Sequence, residues 1–257
     1  MTLSNPRIVA EHQVGSIHGY RALVVGASSG IGRAVVKLLA ECGAAVVAGD
    51  LPGASWPTDT TDRSVVRLPV DVTDVASVEL AVHDAIAQLD GIDAVVNCAG
   101  ILGGVVPGAE EPLEQFERLL RVNLLGAFIV SRTVLPTMAA NGFGRLVHIA
   151  SMAGKDGNPQ MVGYSASKAG VIGMVKALGR EYAGTGVTVN AIAPAGIDTP
   201  MIAGMTPERQ EVQRRLVPMG RFGRPEEAAA LIRYVISPEA SFTTGFVYDL
   251  SGGRATY

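Results

Sequence analysis

Cysteine is scarce in this chain. Its 257 residues include two, Cys42 and Cys98, far too few for a disulfide framework, which points to a reducing, cytoplasmic setting. Charge is scarce as well: 18% of residues are Asp, Glu, Lys or Arg, and the net charge is -3. That balance leaves no basic footprint for nucleic acid or for an anionic membrane surface. The four histidines stand in no cluster with ligand spacing, so no metal site is expected. No apolar run reads as long enough to span a membrane, and "MTLSNPRIVAEHQVGSIHGY" at the start has no apolar stretch of the secretory-signal kind. What the chain does have is apolar residues, 48% of the total, enough for a sizeable core.

Those residues recur in a pattern. Short β-rich runs (Arg21–Val25, Ala45–Gly49, Val66–Val70, Ala94–Asn97, Arg145–Ala150, Val187–Ile192, Phe246–Leu250) alternate with longer helical stretches. Several runs are almost wholly apolar, as strands covered on both faces must be. The alternation predicts one α/β domain over residues 21–257, a doubly wound parallel sheet with helices on both faces, behind an N-terminal extension of residues 1–20. Two stretches depart from it. Leu51–Ser64 holds two prolines and a glycine where a crossover helix would stand, so at most a short turn is expected. Residues 197–220 mix glycine, proline and polar residues, which suggests a flap with a short helix over an active site.

The stretch "LVVGASSGIGRAVV" puts Gly26, Gly30 and Gly32 between the first strand and the first helix. Glycine there permits a tight turn and lets backbone N–H groups approach a pyrophosphate at the helix N-terminus. Glycine turns also join strands to helices for packing alone, so the pattern gains weight from its place in the alternation. Asp50 follows the second strand, eighteen positions after Gly32. Its carboxylate can accept hydrogen bonds from both adenosine ribose hydroxyls and would repel a 2′-phosphate; no Lys or Arg stands beside it. NAD is therefore expected rather than NADP.

Taken together, these features resemble the short-chain dehydrogenase/reductase family, with its Rossmann-type fold, from Arg21 to the C-terminus. "GASSGIG" is similar to the family's glycine motif, with Val25 in place of the usual threonine. "NCAG", Asn97–Gly100, stands for its Asn-Asn-Ala-Gly element, with Cys98 replacing the second asparagine. The resemblance implies catalytic roles for Asn123, Ser151, Tyr164 and Lys168. It also implies cofactor contacts from Ser28, Ser29 and Ile31 in the glycine loop, and from Leu51 and Val72 after the second and third strands. Further contacts implied are Asp71 on the adenine amino group, Asn97, Ala99 and Gly100, and Pro194, Ile197 and Thr199 near the nicotinamide carboxamide, with Ala195 replacing the segment's glycine.

The spacing of two of these residues has its own physics. Tyr164 and Lys168 are i and i+4, neighbours on one helix face. A phenol with an ordinary pKa of about 10 is a poor base at neutral pH, and a nearby cation lowers that value. Lys168 and the positive nicotinamide are expected to do so, with Lys168 also on the ribose hydroxyls and Ser151 on the substrate oxygen. Asn123, polar between Val122 and Leu124, is costly unless satisfied; the resemblance implies that it holds a water linking Lys168 to solvent. His148 reads as a packed strand residue and Cys98 as a small apolar one.

The expected activity is NAD-dependent interconversion of a secondary alcohol and a ketone on a small oxygenated molecule such as a sugar acid. Lys155, Arg209 or another flap arginine would meet the carboxylate. The alternatives are a β-ketoacyl thioester reductase and, outside catalysis, an NAD-binding sensor. Family resemblance also suggests a homotetramer.

Overall fold

In the computed structural model, residues 16–56 and 65–257 are described. Residues 1–15 of the N-terminal extension, His12 among them, and 57–64 of the second crossover lie outside them.

Among the described residues, seven parallel strands form one sheet in the order β3-β2-β1-β4-β5-β6-β7. They are β1 Arg21–Val25, β2 Ala45–Asp50, β3 Val66–Pro69, β4 Ala94–Asn97, β5 Gly144–Ile149, β6 Val187–Pro194 and β7 Val247–Leu250. Side chains alternate between the faces of a strand, and β1 shows why its run is apolar from Ala22 to Val25. Leu23 and Val25 join the core beneath α2 (Val75–Leu89), α4 (Gly126–Ala140) and α6 (Val162–Tyr182). Ala22 and Val24 join the opposite core, beneath α1 (Gly30–Glu41) and α9 (Pro225–Ile236). The latter core also takes in Ile17, fully buried, so the chain is already packed four residues before β1 begins.

Local chemistry sets the helix ends. Asp74 caps α2 by accepting from Ala76 N at 3.0 Å, and Pro225 opens α9 with Glu227 reaching back to Arg224 N at 2.7 Å. The chain from Leu113 to Ala140 is continuous helix: α3 (Leu113–Leu119), a π-helical turn (Leu120–Leu125) and α4. Within its 28 residues an 18-residue window has a mean hydropathy of 1.4, which by length and composition alone is enough for a membrane span, so the expectation that no such run exists is corrected. Half of the apolar window is buried inside the fold, where α4 packs on α2, α6 and β5. Partial burial within a core is the ordinary reason for an apolar helix.

The strand order reverses between β1 and β4. In open α/β sheets the crevice at the carboxyl ends of such strands is where ligands bind. Here the site-bearing segments meet: the β1–α1 loop, the ends of β2 and β4, the start of α5 (Met152–Asp156) after β5, one face of α6, and the segment after β6. That last segment carries two short helices, α7 (Pro200–Ala203) and α8 (Pro207–Arg215), and Ile197 bridges to Gly223 at its root.

Candidate active site

A cavity of about 300 Å³ occupies this crevice. Its first wall is the β1–α1 loop, where Gly26, Ser28, Ser29, Gly30, Ile31 and Gly32 all face the space. Gly26 has φ +75, and a Cβ on it would lie 2.6 Å from Ala99 N, so only glycine lets the β1 and β4 ends approach this closely. Ser29, the N-cap of α1, makes no side-chain cap bond, and no acidic residue stands in the first turn. The first N–H groups of a twelve-residue helix are thus turned toward the cavity, as a phosphate group requires.

Asp50 and Leu51 form the next part of the wall. The Asp50 carboxylate accepts from Ser28 N at 2.8 Å through Oδ2 and from Leu51 N at 2.8 Å through Oδ1. Those two bonds fix the carboxylate beside the glycine loop and leave acceptor positions for a ribose diol. A dinucleotide therefore fits the residues present: uncapped helix amides for the pyrophosphate and an anchored carboxylate for the adenosine end.

Not every expected cofactor residue faces the cavity. Val72, Ala99, Gly100, Pro194, Ile197 and Thr199 do. Asp71 does not: its Oδ1 accepts from Thr73 N at 2.9 Å and Thr73 Oγ1 at 2.8 Å, closing its own turn between Val70 and Val72. Asn97 is also set back, 4% exposed. Its Oδ1 accepts from Ala99 N at 3.2 Å and its Nδ2 meets His148 Nδ1 at 3.3 Å. Ser131 Oγ donates to Ala127 O at 2.8 Å and so accepts from His148 Nε2 at 2.9 Å. The proton of His148 therefore sits on Nε2, Nδ1 accepts from Asn97, and the Asn97 amide is fixed in orientation. Burial, followed by the Lys168 charge, pushes the His148 pKa down to about 3. Cys98 lines the cavity with its pKa pushed up to about 12 by burial, which makes it an inert thiol.

Ser151, Tyr164 and Lys168 also line this cavity. Ser151 is the N-cap of α5 and accepts from Ala153 N at 3.1 Å, which pins its side chain. Tyr164 and Lys168 are buried, 8% and 4% exposed. Lys168 Nζ donates to Ile149 O at 2.8 Å. Burial lowers its pKa to about 8. Burial also raises the Tyr164 pKa, and a hydrogen bond with Ser151 pulls it back. The expectation that Lys168 sets a low phenol pKa is corrected for the chain by itself: desolvation is the larger effect, and Lys168 is itself desolvated.

Asn123 lies behind this wall in the π-helical turn, 2% exposed. Its Oδ1 accepts from Ile101 N at 2.8 Å, while Nδ2 donates to Ile101 O at 3.0 Å and Ser167 Oγ at 3.0 Å. A Cβ on Gly100 would lie 3.1 Å from Asn123 Oδ1 and 3.3 Å from Lys168 Nζ, so Asn123, Lys168 and the loop after β4 converge at one point.

The flap contributes Met201, Ile202 and Met205 as expected, and also Gln213. The cations expected at the substrate end do not line the cavity. Lys155 is tied to Asp249 at 2.9 Å and to Tyr257 O; Arg209 Nη2 donates to Pro159 O at 3.3 Å. Arg254, overlooked in the sequence, does line it, beside Asn158. Nothing in "SGGRATY" distinguishes this arginine from a solvated one, since its placement depends on contacts with residues almost a hundred positions away.

Comparisons with known proteins agree with this geometry. A family model described as enoyl-(acyl carrier protein) reductase matches residues 26–255. A 2-dehydro-3-deoxy-L-rhamnonate dehydrogenase (NAD(+)) of Sphingomonas sp. (strain SKA58) is 43% identical over 246 residues, 95% of this chain and 98% of that protein. The 3-oxoacyl-(acyl-carrier-protein) reductase FabG of Thermotoga maritima is 37% identical, over 92% of this chain and 98% of its own. The cis-4-hydroxycyclohexanecarboxylate dehydrogenase of Sinomonas cyclohexanicum is 36% identical, over 90% and 95%. The crystal structure of gox2181 superposes with a TM-score of 0.89 at 32% identity, covering 93% of this chain and 97% of that one. With its sheet order, its glycine loop and its Ser-Tyr-Lys wall accounted for, the chain belongs to the short-chain dehydrogenase/reductase family and is an oxidoreductase acting on the CH–OH group.

Proposed function

We propose that the protein is an NAD-dependent dehydrogenase that oxidises a secondary alcohol on a small hydroxy acid of the sugar-acid type. The observation that carries this reading is the position of the Asp50 carboxylate, anchored in the same cavity as Ser151, Tyr164 and Lys168. An anchored carboxylate accepts from a free 2′-hydroxyl and repels a 2′-phosphate. The relatives' printed activities support the substrate class: two of the three act on carboxylates.

When bound, oxidised NAD supplies the hydride acceptor and the additional positive charge that a buried phenol needs. Everything else comes from the chain. Ser151, pinned by Ala153 N, donates toward the substrate oxygen. Tyr164 takes the hydroxyl proton as hydride leaves the carbinol carbon, and returns it in the reverse direction. Lys168 holds positive charge beneath the ring. Asn123 fixes the loop at Ile101 and acts as a positioning residue for this wall. Met201, Ile202 and Met205 exclude water above the reacting carbon.

Thioester reduction is favoured by one observation, the similarity to the FabG proteins. A panel of sugar acids, polyols, steroids, β-hydroxy esters and β-ketoacyl thioesters, read by NADH absorbance, tests the choice. Sugar acids are expected to turn over best; turnover of thioesters or steroids alone would overturn the assignment and leave the hydride-transfer chemistry standing.

A further inference from the structure

The cavity has a second polar end, away from Asp50. Among the described residues lining it, the charged side chains are Asp50, Lys168 and Arg254. Asp50 belongs to the adenosine end and Lys168 to the catalytic wall. Arg254 is left, the one cation that no part of the hydride-transfer chemistry employs.

Its placement is built by the fold. Gly252 and Gly253, at φ +58 and +92, turn the chain back after β7. A Cβ on Gly252 would lie 2.5 Å from Val217 Cγ1, so glycine allows this turn to press against the end of the flap, where Met219 N donates to Gly252 O at 3.1 Å. The turn delivers the Arg254 side chain, 9% exposed, into the cavity wall. Nε donates to Asp156 Oδ2 at 2.9 Å and Nη2 to Asn158 Oδ1 at 2.6 Å. Nη1 has no partner among the described residues. A guanidinium oriented by two acceptors at one edge presents its remaining donors in a fixed direction, which is how arginine recognises a planar anion.

A second observation points to a ligand at the same end. Gln213, on α8, lines the cavity at 7% exposure, and among the described residues its amide makes no hydrogen bond. Its amide atoms are open to the cavity rather than enclosed, so they are free to bond a molecule bound there. Gln213 and Arg254 approach from two segments that both border the substrate side, and each brings an unused donor.

We propose that Arg254 and Gln213 form a carboxylate subsite that selects hydroxy acids over neutral alcohols, with Asp156 and Asn158 positioning the guanidinium. The inference rests on the hydroxy-acid reading above and deepens it by naming the groups that recognise the acid. It replaces Lys155, which is tied to Asp249, and Arg209; neither lines the cavity.

The test uses the full chain with NAD+ and sugar acids paired with their methyl esters. Arg254→Met should lower kcat/KM for the acids by roughly 10- to 100-fold, mainly through KM, with the esters little changed. Arg254→Lys should recover part of the loss. Gln213→Glu breaks no protein hydrogen bond and places a carboxylate against the substrate's own, so it should also depress the acids selectively. Affinity for NADH, read by fluorescence, should be unaltered in all three. Equal losses on acid and ester, in both the Arg254 and Gln213 variants, would mean that these residues only fasten the flap and the last turn. That result overturns the subsite and leaves the hydroxy-acid reading intact. Oxidation of esters and neutral alcohols with every acid inert overturns both.

Discussion

Lys168 Nζ lies 5.9 Å from the centroid of the Tyr164 ring and gives its hydrogen bond to Ile149 O. The ammonium thus lies near the ring without bonding to the phenol oxygen. Tyr164→Phe keeps the ring that fills this space and removes the proton-transfer group. Turnover should fall by a factor of 100 or more, on the order expected for loss of a general base, while NADH affinity stays near that of the parent. Retention of over about a tenth of the rate would remove Tyr164 from its assigned role.

Asp50 ties the glycine loop to the end of β2 through Ser28 N. Asp50→Ala should therefore weaken NAD, by roughly tenfold or more, and narrow the gap between NAD and NADP. Steady-state kinetics with both cofactors check this. A parent enzyme that prefers NADPH would contradict the part given to Asp50.

His148 sets a pH dependence on stability. Its folded pKa is about 3, against an ordinary value of 6.5. Below about pH 6.5 the unfolded chain binds a proton there that the folded chain refuses until near pH 3, so the stability from a neutral His148 is present above that window and is lost as pH falls through it. His148→Gln keeps one donor and one acceptor for Ser131 and Asn97 but does not titrate. Its melting temperature should drop less than the parent's between pH 7.5 and pH 5, by calorimetry. An identical drop would show that His148 is not buried neutral.

Two apolar faces lie on the outside of the chain. Leu125 and Phe128, each 44% exposed, flank the junction of the π-helical turn and α4, and Phe242 and Phe246 stand near β7. We propose that the first face pairs across one two-fold axis and the second across another, giving a homotetramer. Light scattering at micromolar concentration should return four times 26.6 kDa. Phe128→Glu should shift the mass toward the dimer or below, and a monomeric parent would refute the assembly.

Much of this molecule is local chemistry, and local chemistry is legible. The spacing of Tyr164 and Lys168 is a helical turn whatever surrounds it, and the β1 run is apolar from Ala22 to Val25 because both sheet faces are covered. The glycine loop could be located because a strand, a turn and a helix follow one another within a dozen residues. From such short-range constraints the sequence by itself determined the parallel α/β fold, the family and the segments that form the site. Tertiary structure decided the rest. It decided that Asn97 is oriented by His148, fifty-one positions away, and that Asn123 holds Ile101. It decided that burial raises the Tyr164 pKa and that Ser151, not Lys168, draws it back. It also placed Arg254, held by Asp156 and Asn158 across separations of 98 and 96 residues, at the cavity instead of Lys155 or Arg209. Desolvation and long-range hydrogen bonding depend on which distant segments close over a side chain, and no local period or spacing encodes that.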